Sequence, residues 1–413
     1  MNTPTQIAEL TDVNSIRAQF PILERQIYGQ KLVYLDNAAS SQKPLAVMNS
    51  IQEYYSKYHS NVHRGVHHLS QVATDLFEAS RERMRVFVNA ASSREIIFTK
   101  GTTDGINLVA YCLRNRLKAG DEILISEMEH HSNIVPWQMT ASATGAKIVV
   151  VKISPDGSLD LNDFDQKLSK RTKIVSIVHI SNALGTINPA ASICEKARKF
   201  GALTLIDGAQ AAPHGTIDVQ AIGCDFYVLS GHKMYGPTGS GILYGREELL
   251  NEMPPYQGGG EMIAEVRFDG TTYNELPFKF EAGTPNIESA IGLKAAADYM
   301  ESIGFENIAQ QESALLQYAT ESLSEIDGLR LVGTANEKAS VVSFLVDGTH
   351  PSDVGTILDQ LGIAVRTGHH CTQPLMRVLG IPGTVRASFA VYNTFEEIDF
   401  LVAGIRRAQK MLN

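Results

Sequence analysis

Cysteine is scarce in this 413-residue chain, and its four copies are widely separated without a C-x-x-C pair. That arrangement excludes a disulfide framework and the ligand spacing of a zinc ribbon. No run of eighteen apolar residues occurs, so the sequence predicts no membrane-spanning helix. Positive charge is also in deficit: 36 Lys and Arg stand against 45 Asp and Glu, for a net charge of −9. This balance argues against a surface that binds nucleic acid or an anionic membrane.

The first ten residues are polar and lack the apolar core of a signal peptide. Together with the unpaired cysteines, this indicates a protein of the reducing cytoplasm. Hydrophobic residues make up 44% of the chain and charged residues 20%, which is typical of a soluble globular protein. Because 413 residues exceed one ordinary core, we expect two subdomains.

Short apolar strands alternate with helical patterns from Val33 onward. The predicted strands are residues 95–98, 122–125, 147–151, 174–178, 203–206 and 226–229. Continuous apolar runs are typical of strands covered on both faces, so the pattern predicts an α/β fold with a mostly parallel central sheet. We place this large domain at residues 32–293.

The alternation stops after Leu250. Residues 254–286 are rich in Gly, Pro and aromatic residues, which indicates an ordered excursion with little helix, and a long helical pattern starts near Ser289. Residues 340–346 and 364–366 then read as strands of a smaller α+β domain. We assign residues 1–31 and 294–413 to that small domain.

Two of the apolar runs end at ionisable residues. Residues 203–206 precede Asp207, with Gln210 three residues later, and residues 226–229 precede the segment Ser230-Gly231-His232-Lys233. The spacing between Asp207 and Lys233 leaves room for one crossover between adjacent parallel strands, which would bring both residues to the ligand-binding edge of the sheet. The pair could be a plain salt bridge. Alternatively, Lys233 forms a Schiff base with pyridoxal phosphate (PLP) while Asp207 holds the pyridine nitrogen.

Other polar residues follow strands at the same predicted edge. Thr102 and Thr103 begin a helix whose free N–H groups would suit a phosphate, or they simply cap that helix. His130 could stack on a flat ring, or be a loop histidine without a role. Asn182 follows a buried strand but could equally be a turn residue.

The small domain contributes two arginines and a cysteine. Arg366 or Arg386 could hold a substrate carboxylate as a bidentate fork, although either alone could be a solvated charge. Cys371 follows His369 and His370, and neighbouring imidazoles and arginine favour the nucleophilic thiolate, whereas an inert thiol is the alternative. We predict no metal site, because adjacent residues rarely face one ion. The remaining cysteines read as small core residues: Cys112, Cys194 and Cys224.

These signals are modest singly, but together they carry a family resemblance. The motifs are Tyr34-Leu35-Asp36-Asn37-Ala38-Ala39, Asn61-Val62-His63-Arg64-Gly65, Gly101-Thr102-Thr103, the stretch from Glu129 to Trp137, Asp207-Gly208-Ala209-Gln210, Ser230-Gly231-His232-Lys233, Phe280-Glu281-Ala282-Gly283-Thr284-Pro285, Arg366-Thr367-Gly368-His369-His370-Cys371 and Arg386-Ala387-Ser388. Over nearly its whole length the chain resembles the group II, SufS-like cysteine desulfurases, which are fold-type I PLP enzymes of the class V aminotransferase type. The Arg-x-Gly-His-His-Cys segment discriminates, because group I desulfurases carry their cysteine in a longer Ser/Gly-rich loop. Thr372-Gln373 departs from the alanine that is common after the cysteine.

The resemblance implies a role for each candidate residue. Lys233 would form the Schiff base and move protons, His130 would stack on the pyridine ring, and Asp207 would pair with its nitrogen. Asn182 and Gln210 would contact the phenolic oxygen. The phosphate site would comprise Thr102, Thr103, Ser230, His232 and, from the other subunit of a homodimer, Thr284.

The resemblance also implies a reaction. Arg386, helped by Asn182 or replaced by Arg366, would bind the carboxylate of L-cysteine. Cys371 would take the sulfur as a persulfide, L-alanine would leave, and a SUF-type acceptor protein would receive the sulfur for iron–sulfur cluster assembly. The alternatives are a selenocysteine lyase acting on L-selenocysteine, an aminotransferase-like PLP enzyme and a catalytically silent scaffold. Neither nucleic acid nor a membrane is expected as a partner.

Overall fold

A computed structural model gives the fold of residues 13–412; the polar N-terminal segment, residues 1–10, lies outside these described residues. The strands are β1 (Gln26–Ile27), β2 (Gln30–Lys31), β3 (Val33–Tyr34), β4 (Ile96–Thr99), β5 (Glu122–Ser126), β6 (Lys147–Val151), β7 (Thr172–Val178), β8 (Leu203–Asp207), β9 (Phe226–Ser230), β10 (Gly241–Gly245), β11 (Ile263–Arg267), β12 (Gly270–Tyr273), β13 (Leu329–Val332), β14 (Val341–Val346), β15 (Ile363–Ala364), β16 (Arg366–Gly368) and β17 (Thr384–Ser388). The α-helices are α1 (Val13–Arg17), α2 (Leu45–Glu53), α3 (His68–Phe87), α4 (Thr102–Cys112), α5 (Val135–Thr144), α6 (Leu161–Lys167), α7 (Ala190–Lys199), α8 (Val219–Ile222), α9 (Glu247–Glu252), α10 (Ile287–Ile303), α11 (Phe305–Ser324), α12 (Pro351–Gln360), α13 (Gln373–Leu379) and α14 (Phe395–Leu412).

The central sheet has seven strands in the order β4-β10-β9-β8-β7-β5-β6. Neighbouring strands from β9 to β6 pair in parallel, whereas β10 runs antiparallel to both β9 and β4. The prediction of a mostly parallel sheet is therefore confirmed. The predicted strands correspond to β4 to β9, whereas the sequence analysis did not single out β10.

Both faces of this sheet are covered, which explains the continuous apolar runs. Tyr227 and Leu229 of β9 pack into one core cluster, whereas Phe226 and Val228 pack into another on the opposite face. Gly105 lets α4 lie close to the sheet, because a Cβ atom there would come within 2.8 Å of the Val228 side chain. This packing places the start of α4 beside the end of β9.

The small domain has an antiparallel sheet in the order β13-β14-β17-β16, and α11, α12 and α14 pack around it. The short strand β3 pairs in parallel with β15, and Val33 and Leu35 are buried in the same core as Phe344. These contacts favour grouping β3 with the small domain. The proposed boundaries after residues 31 and 293 remain predictions, and the second one falls within α10.

The excursion over residues 254–286 contains the hairpin β11–β12 and a short 3₁₀ turn, Phe278–Phe280, as its low helical content predicts. The hairpin is exposed, including Val266 and Phe268. α10 begins at Ile287, close to the predicted start of the long helix. Over residues 13–412, no helix is both long and apolar enough to cross a membrane.

Candidate active site

One cleft of about 240 Å³ brings together twelve of the thirteen predicted site residues. It lies where β7, β8 and β9 end. The twelve are Thr102, Thr103, His130, Asn182, Asp207, Gln210, Ser230, His232, Lys233, Arg366, Cys371 and Arg386. The thirteenth, Thr284, lines a separate cavity with Phe98 and Pro285. The roles of these residues remain predictions.

Lys233 ends a 3₁₀ turn, Gly231–Lys233, that directly follows β9. Burial lowers the pKa of Lys233 to about 8, although Asp207 and Cys371 oppose the shift. Among the ion pairs of residues 13–412, none joins Lys233 to a carboxylate within 4.0 Å. The plain salt bridge is thus not observed, and near neutral pH the amine has a larger neutral, nucleophilic fraction than an ordinary lysine.

Asp207 is the last residue of β8 and is only 2% exposed. Burial raises the pKa of its carboxyl group, while a hydrogen bond and Lys233 counteract the shift. The hydrogen bond comes from the backbone N–H of Ala209, 3.0 Å from Oδ1. Because β8 and β9 are neighbours in parallel register, Asp207 and Lys233 meet at one sheet edge, as the sequence predicts.

The start of α4 forms an anion-binding cradle. Gly101 precedes the helix at φ 131°, where a Cβ atom would approach Ser230 Oγ to 3.0 Å, so glycine suits the position. Ser230 Oγ accepts from the N–H of Thr102 at 2.9 Å and donates to Thr102 Oγ1 at 2.9 Å. Gly101 offers no side-chain cap to the helix, so the N–H groups that follow Thr102 at the positive end of α4 are available to a phosphate.

His130 is held as a neutral ring. The backbone N–H of Ser132 donates to its Nδ1 at 3.1 Å, so in the neutral ring the hydrogen is on Nε2. Burial, reinforced by Lys233, lowers the pKa of His130 to about 3. An uncharged imidazole can lie against an aromatic cofactor without adding a buried charge.

Glu129 anchors the segment that carries His130, a role that the sequence analysis missed. Its side chain is fully buried and accepts from Ser126 Oγ at 2.5 Å, Asn133 Nδ2 at 2.6 Å and the N–H of Val178 at 3.1 Å. Burial nevertheless raises the pKa of Glu129 to about 8. The carboxyl group thereby ties the loop after β5 to the end of β7.

Arg386 and Arg366 stand opposite each other on β17 and β16, and both reach Asp36. Arg386 donates to Asp36 Oδ1 at 2.8 Å, and Arg366 lies 3.7 Å from Oδ2. Arg386 is 1% exposed at its side chain, whereas Arg366 is 42% exposed. Arg386 is therefore not a solvated surface charge, which is the alternative interpretation. Asp36 is a second residue that the sequence analysis missed as a functional candidate, although it lies in a motif quoted above.

Cys371 lies in a constrained loop between β16 and α13. His370 and Cys371 both have positive φ, 53° and 59°, which is uncommon outside glycine. Asn182 Nδ2 donates to the carbonyl of His370 at 2.7 Å, and the N–H of His131 donates to the carbonyl of Cys371 at 2.8 Å. His131 Nε2 also accepts from the N–H of Gln373 at 3.0 Å. Residues of the large domain therefore hold the loop over the cleft.

Cys371 is partly exposed, whereas the other cysteines are buried as predicted: Cys112, Cys194 and Cys224. Burial raises the pKa of Cys112 to about 12 and that of Cys194 to about 11. Thiolate chemistry is therefore disfavoured at these positions.

Four buried polar atoms on cleft-lining residues have no hydrogen-bond partner within residues 13–412. They are Asn182 Oδ1, Gln210 Oε1, His370 Nδ1 and Arg386 Nε. Buried polar groups are nearly always paired in native proteins, so these atoms indicate a polar ligand. A phosphate cradle, a buried carboxylate and a lysine of lowered pKa are the set that PLP requires, and the residues present fit this cofactor.

The sequence profile of the family described as aminotransferase class-V matches residues 33–401. The chain belongs to this family. Membership confirms the predicted cofactor, pyridoxal phosphate, and the prediction of a PLP-dependent enzyme.

Relatives narrow the assignment. A "Probable cysteine desulfurase" of Halalkalibacterium halodurans is 51% identical over 97% of this chain and 98% of its own length. A "Cysteine desulfurase" of Serratia proteamaculans is 50% identical over 97% of this chain and 99% of its length. The predicted resemblance to cysteine desulfurases of the class V type is confirmed.

Solved structures agree with this assignment. The cysteine desulfurase CsdA of Escherichia coli, in an S-sulfonic acid form, superposes with a TM-score of 0.91 at 41% identity, covering 98% of this chain and all of that one. The apo cysteine desulfurase of Thermococcus onnurineus NA1 gives 0.92 at 42% identity, covering 99% of each chain. The predicted fold class, a fold-type I α/β architecture, is thereby confirmed.

Proposed function

We propose that this protein is a cysteine desulfurase that converts L-cysteine to L-alanine and keeps the sulfur as a persulfide on Cys371. The observation that carries the proposal is that Cys371, Lys233 and Arg386 line one cleft. A nucleophilic thiol is of no use to simple amino-group transfer. Its presence opposite the lysine favours sulfur chemistry over the aminotransferase-like and silent-scaffold alternatives.

The cofactor would be held by residues of the large domain. Thr102, Ser230 and His232 surround the positive end of α4 and would bind its phosphate. Asp207 would pair with the ring nitrogen, and His130 would cover the ring. When bound, pyridoxal phosphate supplies an electron sink at the α-carbon of the amino acid.

Each remaining residue then has a distinct task. Lys233 is neutral often enough to act as the nucleophile and, once free, to take a proton from one carbon and return it to another. Arg386 would bind the substrate carboxylate in place of part of its contact with Asp36. Asn182 orients both Arg386, through its carbonyl, and the Cys371 loop.

The sulfur step balances without an outside oxidant or reductant. The thiolate of Cys371 attacks the sulfur of the bound substrate, so that an S–S bond forms and the Cβ–S bond breaks. The bonding electrons stay on the carbon skeleton, which is protonated to give alanine. Because Cys371 is partly exposed, the persulfide would remain within reach of an acceptor.

We further propose a cytoplasmic homodimer that delivers sulfur to a SUF-type acceptor for iron–sulfur cluster assembly. An open cleft beside Thr102 and Ser230 leaves room for Thr284 of a second subunit at the phosphate site. The exposed side chains of Val66 and Phe268 are apolar surface that an assembly would bury. Sedimentation over a dilution series tests the dimer, since active PLP-loaded monomers would contradict it.

Mass spectrometry tests the function. With L-cysteine and no acceptor, one extra sulfur is expected on the Cys371 peptide, and a thiol reductant or an acceptor protein should remove it. Cys371→Ser should retain the visible spectrum but form no alanine, whereas the control Cys112→Ser should behave as native. Sulfur on another cysteine, or full activity of Cys371→Ser, rejects the proposal. If Cys371→Ala fails with L-cysteine yet turns over L-selenocysteine at the native rate, the selenocysteine lyase alternative is favoured.

A further inference from the structure

A second cleft, of about 280 Å³, lies outside the candidate active site. Its lining includes His179, His214, Glu312 and Lys338, and it shares Ile180 with the active-site cleft. None of these four titratable residues has a task in the proposed reaction. The exposed residues Thr216 and Ser313 line the second cleft, so it offers solvent a second approach to the interior.

A small cavity of about 10 Å³ lies between the two clefts. Lys233 and Gln210 line both this cavity and the active-site cleft, whereas His214 and Glu312 line both the cavity and the second cleft. The cavity volume suits about one water molecule. One water there would stand between the catalytic lysine and the His214–Glu312 pair.

Four residues around the small cavity carry buried polar atoms without a hydrogen-bond partner among the described residues. These atoms are Gln210 Oε1, His214 Nε2, Tyr235 Oη and Glu312 Oε1. A buried water typically makes about three hydrogen bonds to such groups. The side chains of this cavity therefore supply the number of partners that one water needs.

The His214–Glu312 pair has the geometry to accept a proton from the small cavity. His214 Nδ1 lies 2.5 Å from Glu312 Oε2, and Ser340 Oγ donates to the same oxygen at 3.3 Å. Opposite an ionised carboxylate Nδ1 must carry a hydrogen, so the neutral ring has its lone pair on Nε2. The carboxylate would then stabilise the imidazolium that forms on protonation.

We propose that a water in the small cavity relays protons between Lys233 and the His214–Glu312 pair, which exchanges them with solvent in the second cleft. The inference rests on the proposed function, in which Lys233 alternates between its neutral and protonated forms. On proton release an N–H bond of the Lys233 ammonium breaks and the proton passes to the water oxygen. The water gives a proton to His214 Nε2, and uptake follows the reverse order. With substrate filling the front of the active site, this rear route would keep Lys233 connected to solvent.

The other titratable groups near the two cavities are less suited than His214 to exchange protons near neutral pH. Tyr235 and Tyr392 are buried near Glu312, and burial holds the pKa of each well above its usual range. Burial lowers the pKa of His179 to about 4, so that ring is neutral near pH 7. Lys338 donates to the carbonyl of Gly333, and burial lowers its pKa to about 8.

Deuterium exchange tests the relay. The PLP-loaded protein is incubated with L-alanine in D₂O, and loss of the Cα hydrogen is followed by NMR. This exchange needs Lys233 to trade its protons with solvent while an amino acid occupies the cleft, but it needs no sulfur chemistry. His214→Gln should slow the exchange at least about tenfold, as expected for loss of a proton-transfer group. The matched control is His179→Gln, a histidine of the second cleft that does not line the small cavity, and it should exchange at the native rate.

A second readout is structural and independent of turnover. Crystals of the native holoenzyme should show a water within about 3.2 Å of His214 Nε2 and of at least one of the other three unpartnered oxygens, those of Gln210, Tyr235 and Glu312. If His214→Gln does not fold by circular dichroism, Glu312→Gln takes its place in the exchange measurement.

The outcomes separate the inference from the proposed function. If folded His214→Gln exchanges the Cα hydrogen as fast as the native protein does, the relay is overturned. A native crystal without the water also overturns it. Either result leaves the desulfurase proposal intact. A native protein that exchanges no Cα hydrogen instead overturns the proposed role of Lys233, and the relay with it. Slow exchange in His214→Gln alone, with the water present in native crystals, supports the relay.

Discussion

Arg386 of β17 donates to the carboxylate of Asp36 at 2.8 Å, across almost the whole length of the sequence. A buried guanidinium needs a counter-charge, and Asp36 supplies it before a substrate arrives. If Arg386 binds the substrate as proposed, the substrate carboxylate must compete with Asp36 for it. The strength of the Arg386–Asp36 contact would then help to set the affinity for the amino acid.

Asp36→Asn should make the fold less stable and the substrate bind more tightly. The loss of stability should be about 2–3 kcal/mol, below the usual cost of breaking a fully buried pair because Asp36 is 21% exposed. Urea unfolding and the KM for L-cysteine are the measurements, with the exposed Asp359→Asn as control. A raised KM in Asp36→Asn would show that Asp36 assists substrate binding.

Arg386→Ala should act in the opposite direction and weaken the binding of L-cysteine by about 2–3 kcal/mol.

Lys233→Ala should abolish turnover, because it removes the amine that we propose forms and breaks the bond to the cofactor. The cofactor can still bind without a covalent bond through the cradle at the start of α4. Borohydride reduction of the native protein, followed by peptide mapping, should tag the peptide containing Lys233. Lys43 is the informative alternative, since burial also lowers its pKa to about 8 and its Nζ contacts the His232 carbonyl. A tag on Lys43 would move the assignment there.

Glu129→Gln should remove part of the pH dependence of stability. Burial raises the pKa of Glu129 from 4.5 to about 8 in the folded state, so the folded protein binds more protons than the unfolded chain between these values. The contribution of Glu129 is therefore favourable below about pH 4.5 and is lost as the pH rises to about 8. Between pH 4.5 and 8, the free energy of unfolding of the variant should rise relative to that of the native protein by on the order of a few kcal/mol.

Urea unfolding at several pH values measures this difference. A constant offset is expected as well, because Asn133 donates to Glu129 and would meet the amide of a glutamine. Only the slope of the stability difference against pH tests the prediction. Parallel stability curves for the two proteins would show that Glu129 is ionised in the folded state at neutral pH.

His131→Leu should slow sulfur transfer while leaving cofactor binding intact. The substitution removes the acceptor for the N–H of Gln373, which directly follows Cys371 and Thr372. A more mobile Cys371 thiol would lose its near-attack geometry, which should lower kcat by about tenfold or more. The visible spectrum and the KM for L-cysteine should stay unchanged. His350→Leu is the matched control, because exposed His350 precedes α12 and its ring likewise accepts from one backbone N–H, that of Ser352. A changed spectrum would mean that His131 acts on the cofactor site.

Much of this arrangement was predictable because it follows from strand order. Apolar runs locate β8 and β9, and their ends place Asp207 beside Lys233. The same logic finds Thr102 at the start of α4. Residues that directly follow a buried strand are constrained by the sheet itself, so a sequence pattern is sufficient to locate them.

Other features depend on packing that no local pattern records. β10 is fully buried, so its apolar run gives no sign that it runs antiparallel. Glu129 is a charged residue in a polar motif, and charged residues are rarely fully buried. Asp36 is matched to Arg386 only once β3 has paired with β15. Long-range pairing of this kind is a property of the assembled fold.

The cleft has two walls of different origin. The wall from the central sheet carries Lys233 and Asp207, whereas Cys371, Arg366 and Arg386 come from the small antiparallel sheet or the loop beside it. Under the proposed function, carbon chemistry would belong to one sheet and sulfur delivery to the other. The second wall can accumulate substitutions that alter the choice of acceptor while the first keeps its hold on the cofactor, so the two halves of the reaction are free to diverge at different rates.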